Sequence, residues 1–430
     1  MDQGAYLDSL RLVCALAGCA VRQQVPDPSM LEGVDSQQLI DAAKSHTLAA
    51  ITAMALQSAG VNSSQVSQEA ARGLWKETQL EEDWVLVREA LENAGIWYCP
   101  LKGAVLKDEY PQPGMRQMAD YDVLFDAERT DDVRSIMEAL GFRCEIFGAA
   151  HHDVYHKLPV SNFEMHRSLF SVLSAPEMVE HFQNVKDHLT KDPDNEFGWH
   201  MDVTECYVYL MAHAHKHFAL GGTGLRTPLD VYVYLRNHED ELNWERVREG
   251  THELGIDDFE ERMRTFAQRV FAPGKPLALQ ADDEELFRYL ATSGTYGTTV
   301  HQVQNKLAKK GRGVPKKLAY LVERVFPSRE ICREVYPFYS GSRLLYPAMV
   351  VFRLGRALTV SRKRVLTELA VILHRNNKVE SWRRAMFTYA LSSVCSCGPR
   401  TSWACEGKGC WHDQVRHETG WRKGGGACVA

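Results

Sequence analysis

The chain has 430 residues, 45% of them hydrophobic and 25% charged, with a net charge of −6. That length allows two or three domains with a sizeable core. The acidic balance excludes broad, sequence-independent nucleic-acid binding, which needs an electropositive footprint. The 11 cysteines are mostly isolated in apolar contexts, as at Cys14, Cys99, Cys144 and Cys206. They predict reduced thiols in a cytoplasmic protein rather than a disulfide framework.

Residues 1–94 read as a helical N-terminal region. Apolar residues recur at helical spacing over 7–16, 39–56 and 74–91. Asp35 stands where an N-cap belongs, Gly60 where a C-cap belongs, and Gly95 stops the third helix. Leu16-Ala-Gly-Cys19 has the form of a lipoprotein cleavage box. The segment before it lacks a basic start, carries Asp2 and Asp8, and is interrupted by Arg11, so residues 6–18 are read as an amphipathic helix. No run reaches the eighteen or so uninterrupted apolar residues of a membrane span. The nearest, residues 344–351, is followed by Arg353 and Arg356.

Residues 95–172 read as a small α/β core. Strand signals fall at 96–99, 121–125, 142–147, 154–158 and 161–167, with a turn at 100–103 and the start of a helix at 104–107. A Pro/Gly-rich loop occupies 110–114, and an amphipathic helix at 128–140 ends on Gly141. Asp120 and Asp122 stand one residue apart at the head of the second strand. Alternation then puts both carboxylates on one face and Tyr121, Val123 and Phe125 on the other, toward a core. Two like charges so placed repel unless a cation lies between them, and hard oxygen ligands suit Mg²⁺. On the 161–167 strand, Phe163 and Met165 share one face, and Asn162, Glu164 and His166 the other.

Residues 173–292 return to helix, with segments at 203–218, 228–235 and 244–254 and a break at Gly221-Gly-Thr-Gly224. Residues 293–390 are helical and more basic: Arg353, Arg356, Arg362, Lys363, Arg364, Arg375, Arg383 and Arg384 are read as a solvated face. Residues 391–430 hold Cys395, Cys397, Cys405, Cys410 and Cys428 with His412 and His417. Their spacings form no paired CxxC knuckles, so this stretch is read as a disordered tail, with a zinc site as the rival.

Three pieces carry chemistry: Lys102-Gly103 at a strand-to-helix turn, Asp120-x-Asp122, and Glu164 on a later strand. Glycine lets the backbone approach a phosphate, Lys102 adds a cation, and three carboxylates can hold the metals of in-line nucleotidyl transfer. Each piece alone has a plainer reading. The aspartates serve equally as strand-end residues, one of them paired with Arg116, and Glu164 and Lys102 as surface residues. His213 and His217, at i and i+4 on one helix face, have zinc-binding spacing or a packing role, with Asp230 placed to accept a hydrogen bond from one of them.

Taken together, Leu101-Lys-Gly103, Gly114-x-Arg116-x-x-x-Asp120-x-Asp122, Gly141-Phe142 and Phe163-Glu-Met-His166 resemble the bacterial uncharacterised nucleotidyltransferase family, part of the polymerase-beta-like superfamily. His213-x-x-x-His217, Arg226-x-x-x-Asp230 and Asn243-Trp244 extend the likeness over residues 35–270. The resemblance implies an α+β fold, a short mixed sheet flanked by helices, that binds a nucleoside triphosphate with Mg²⁺ or Mn²⁺. By it, Asp120, Asp122 and Glu164 are the catalytic metal ligands, and Lys102, Gly103 and Arg116 contact the nucleotide. His166, His213, His217 and Asp230 would support them. The superfamily's Gly-Ser or Gly-Gly is here Lys102-Gly103-Ala104, without a serine hydroxyl.

The expected reaction moves NMP to a hydroxyl of a small molecule, sugar or protein. No membrane or nucleic-acid partner is expected. One rival is a metal phosphohydrolase built from His151, His152, Asp153, His213, His217 and Asp230, which the placement of His151–Asp153 between strands counts against. The other is a non-catalytic nucleotide-binding relative.

Overall fold

The computed structural model describes residues 2–273, 279–310, 314–336, 343–359 and 361–373. The cysteine- and histidine-bearing tail, together with Arg375, Arg383 and Arg384, lies outside the described residues. Cys14, Cys19, Cys99, Cys144, Cys206 and Cys332 are free thiols.

The chain opens with four helices, α1 (Gln3–Val21), α2 (Ser36–Lys44), α3 (Ala49–Ser58) and α4 (Ser64–Asn93). Asp35 caps α2 by accepting from the Gln37 N–H. Gly60, at φ +84°, closes α3, and Gly95, at φ +68°, follows α4. The apolar stretch over 39–56 is two helices rather than one, because the chain reverses at Thr47, whose φ is +54°. Among the described helices, α1 is long and apolar enough to cross a membrane, so the 344–351 run is not the nearest candidate. Half of that stretch is buried, with Leu7, Leu10, Val13 and Leu16 in the core.

The centre of the molecule is a mixed sheet of β1 (Tyr98–Leu101), β2 (Tyr121–Phe125), β3 (Arg143–Ile146), β4 (His152–Lys157) and β5 (Ser161–His166), in the order β1-β2-β5-β4-β3. β2 and β5 run parallel, and the other neighbours are antiparallel. A parallel pair needs a crossover, here supplied by α6 (Thr130–Ala139) and the β3–β4 hairpin. One face buries Tyr121, Val123, Phe125, Phe163 and Met165 against α4 and α6. Trp84, Tyr121 and Phe163 stack there, with successive ring centroids 5.1 and 5.2 Å apart. The other face sends Cys99, Leu101 and Leu124 into a larger core with the helical layers. Asp122, Glu164 and His166 belong to that second face.

A second helical layer follows the sheet. Short α5 (Gly103–Leu106) links β1 to the loop before β2, and α7 is Pro176–His181. Then come α8 (Val203–Leu220), α9 (Arg226–His238), α10 (Trp244–Glu253), α11 (Asp257–Phe271) and α12 (Ala281–Ser293). The stretch expected to be uniformly helical contains a hairpin, β6 (Thr190–Lys191) and β7 (Trp199–His200). Its turn is set by the Asn195 side chain, whose Oδ1 accepts from the Phe197 and Gly198 N–H groups.

Farther on lie α13 (Thr299–Lys310), α14 (Val314–Val325), α15 (Arg329–Val335) and helices Tyr346–Thr359 and Arg362–Leu373. The arginines here do not all form a solvated face. Arg353 is buried and donates to the Arg324 carbonyl and the Tyr336 hydroxyl, and Arg324 and Arg364 both pair with Glu368.

The loop between α5 and β2 is the part of the fold that sets the site. Gly114 adopts φ +81°, and a Cβ there would fall 2.6 Å from the Leu74 nitrogen on α4. Its N–H donates to Glu77, Lys76 donates to the Ala119 carbonyl, and Gln117 accepts from the Ala50 N–H. Residues 114–120 are thereby fixed against α3 and α4 before the chain enters β2.

Candidate active site

β1 is followed by Lys102, which adopts φ +49° and ψ −114°, a conformation that is strained for a residue with a side chain and that concentrates at functional sites. The Lys102 ammonium donates to Asp122 Oδ1 at 2.8 Å and lies 3.4 Å from His166 Nε2. The next residue, Gly103, lines the cavity, and a Cβ there would come within 2.7 Å of Arg116 Nη1. Since α5 is four residues long, the absence of a side chain at Gly103 matters more than any helix dipole.

Asp122 on β2 is in register with Glu164 on β5. Asp122 Oδ1 accepts from both Lys102 and His166 Nε2, the latter at 2.8 Å. Glu164 Oε2 lies 3.4 Å from His152 Nε2 and 3.8 Å from His166 Nε2. Donor atoms of Asp122, Glu164 and His166 all fall within 4.8 Å of one another. Asp120, half-buried just ahead of β2, borders the same cavity as Asp122 and Glu164.

Burial alone would raise the Asp122 carboxyl, but the Lys102 charge and the His166 hydrogen bond outweigh it and hold the group well below the usual carboxylate range. Burial would likewise lower Lys102, yet the facing Asp122 keeps it protonated, above an ordinary lysine. His166 is pushed down to about 4, by burial first and then by the Lys102 charge. Asp122 and Glu164 offer hard oxygen donors of the kind that suit a divalent ion such as Mg²⁺, with Asp122 Oδ1 already engaged by two nitrogens.

The opposite wall comes from α8 and α9. Cys206, Tyr209, His213, Lys216 and His217 face the carboxylates together with Arg226 and Asp230, around a cavity of about 150 Å³. His213 Nε2 and His217 Nε2 are 3.1 Å apart. Burial, reinforced by Lys102, holds His213 well below an ordinary histidine, so its ring is uncharged where it meets His217.

Asp230 does not serve these histidines, as the sequence suggested. It accepts two hydrogen bonds from Arg116, at 2.8 and 3.0 Å, and one from the Tyr110 hydroxyl at 2.8 Å. The ion pair of Arg116 is with Asp230, and Asp120 adds a weaker attraction through space. The planar guanidinium of Arg116 is committed to Asp230, and it acts on the cavity by packing against Gly103.

Of the phosphohydrolase set, His151, His152, His213, His217 and Asp230 line this cavity, whereas the two aspartates are engaged elsewhere. Asp230 is engaged by Arg116, and Asp153 accepts from the Gly148 N–H and lies 3.4 Å from Arg167. Tyr209 and Lys216 also line the cavity, beyond the residues singled out from the sequence. The signal for them was present as the i, i+4, i+7 spacing of Tyr209, His213 and Lys216 on one helix face.

The sequence pattern of the family described as uncharacterised nucleotidyltransferase matches residues 32–272, more than half of the chain. No curated protein matches, and no solved structure does. The matched span begins ahead of α2 and ends just past α11, so it takes in the whole sheet and both cavity walls apart from Thr295 and Tyr296. The chain belongs to the uncharacterised nucleotidyltransferase family.

Proposed function

We propose that the protein transfers the nucleotidyl group of a nucleoside triphosphate to a hydroxyl acceptor, releasing pyrophosphate. The observation that carries this reading is the register of Asp122 against Glu164 on adjacent parallel strands, with Asp120 and Gly103 bordering the same cavity. Asp120, Asp122 and Glu164 would hold Mg²⁺ or Mn²⁺, which when bound neutralises the phosphate oxygens and lowers the pKa of an attacking hydroxyl. Gly103 admits the triphosphate close to the backbone. Lys102, already charged and fixed by Asp122, places a cation beside it, and Lys216 and Arg226 add positive charge from the facing wall. Glu164 would take the proton of the acceptor hydroxyl as its oxygen attacks the α-phosphorus.

The test incubates the protein with Mg²⁺, each labelled nucleoside triphosphate and fractionated lysate. Label moves to an acceptor in the wild type and not in Asp120→Asn. Transfer that survives Asp120→Asn combined with Asp122→Asn refutes the role of the pair. Stoichiometric binding of a nucleoside triphosphate without turnover favours a non-catalytic relative.

A further inference from the structure

Beside the carboxylates lies a group of histidines to which the proposed reaction gives no ligand role. His151, His152 and His166 are all buried. Their ring centroids are 5.0, 5.3 and 4.7 Å apart, and one nitrogen from each lies within 4.8 Å of the others. We propose that these three histidines form a binding site for a late first-row divalent ion, of which Zn²⁺ is the type, distinct from the carboxylate site for Mg²⁺.

Adjacent residues on a strand point to opposite faces, so His151 and His152 would ordinarily diverge. They converge because His151 lies ahead of β4, after Ala150 in the left-handed region at φ +61°. That conformation is strained for a residue with a Cβ, and the surroundings hold it. The Ala150 N–H donates to the Glu334 carbonyl, the Arg167 N–H donates to the His151 carbonyl, and the Arg167 guanidinium donates to the Ala150 carbonyl. His152 is then set directly across from His166 in the sheet register.

The environment of His166 is that of a metal-bound imidazole. Asp122 Oδ1 lies 2.8 Å from His166 Nε2. A carboxylate only accepts, so Nε2 carries the proton and Nδ1 keeps its lone pair. His166 Nδ1 is buried and makes no hydrogen bond. A carboxylate on one ring nitrogen with the metal on the other is the usual arrangement of histidine ligands. Lys102 stands on the Nε2 side, with Asp122 to offset its charge. Three imidazoles select Zn²⁺, Co²⁺, Ni²⁺ or Cu²⁺ over Mg²⁺. They also leave a fourth position of a tetrahedral ion toward the cavity that His151 and His152 border.

The test uses full-length, tag-free protein stripped with a chelator and titrated with Co²⁺ in excess Mg²⁺. Visible absorption should appear for one equivalent bound through nitrogen. The variant His151→Ala with His152→Ala should bind one Co²⁺ fewer, or bind it at least a hundredfold more weakly, while Asp120→Asn binds as the wild type does. If the double variant fails to fold, long-range ¹H–¹⁵N spectra of the wild-type imidazoles decide. One equivalent of Zn²⁺ should then shift three histidines and leave the others in place. Equal Co²⁺ binding by a folded double variant, displacement of Co²⁺ by Mg²⁺, or no histidine shift overturns the site. Since the readout is spectroscopic, failure of nucleotidyl transfer leaves the proposal standing, and the reverse holds as well.

Discussion

Asp120 and Asp122 are chemically identical, and alternation made them equivalent, but the fold gives them different burdens. Asp122 is 4% exposed and is the counter-ion of a buried ammonium. Removing one partner of such a pair costs about 3–5 kcal/mol, because the remaining charge stays buried. Asp122→Asn is therefore expected to lower the urea midpoint strongly and to abolish transfer, whereas Asp120→Asn abolishes transfer with little change in midpoint. Equal destabilisation by the two changes would mean that the Lys102–Asp122 pair does not carry that load. Gly103 offers a second test. An alanine Cβ would sit 2.7 Å from an Arg116 nitrogen whose guanidinium is held twice by Asp230 and cannot easily yield. Gly103→Ala is expected to cut kcat/KM for transfer about tenfold or more, equivalent to about 1.4 kcal/mol of barrier. Wild-type kinetics in this variant would show that the turn has slack.

Between α9 and the loop preceding β2, Arg116, Asp230 and Tyr110 form a buried clamp that ties the two walls of the cavity together. Asp230→Asn should cost several kcal/mol by stranding the arginine, and Arg116→Met combined with Asp230→Leu should recover much of it, since an apolar pair of similar volume is often no less stable than a buried ion pair. A double-mutant cycle in urea measures this, and additive losses would mean that the two side chains do not interact. The clamp also shows where sequence stops informing. Arg116 and Asp230 are 114 positions apart, and no local period links them, so each was assigned to nearer partners. Alternation on β2 and β5, by contrast, placed Asp122, Glu164 and His166 on one face because period two is a local property. Residues 39–56 read as one helix from the sequence because α3 is apolar on nearly every side, which leaves periodicity nothing with which to mark the break at Thr47. The β6–β7 hairpin escaped notice because a single side chain, Asn195, sets its turn.

Across the whole molecule, buried uncharged histidines recur where distant parts of the chain meet. His46 accepts from the Leu225 N–H and so joins the N-terminal helices to the start of α9. His166 lies under the carboxylates, His213 lies on the facing wall, and His301 on α13 contacts Ser293 at the end of α12. Burial lowers all four, with His46, His166 and His301 brought to about 4. In the unfolded chain each returns to roughly 6.5. Between those values the unfolded state binds protons that the folded state refuses, so stability is complete above about pH 6.5 and falls as the pH drops toward 4. Each such histidine contributes a slope approaching 1.4 kcal/mol per pH unit, roughly, inside that window. His188, raised by its hydrogen bond to Glu205, and Glu77, Asp153 and Glu285, raised by burial, run the other way, but by smaller shifts than those of the four histidines. The lowered carboxylates act at a lower pH, since the advantage of Asp122 begins to fade only below about pH 4, where unfolded aspartate protonates. Urea midpoints should therefore be level from pH 8 to 7 and decline steeply from about pH 6 to 4.5. His46→Gln, whose amide oxygen can still accept from Leu225, should flatten that decline. Midpoints that hold steady or rise on acidification would show that these histidines are protonated in the folded protein.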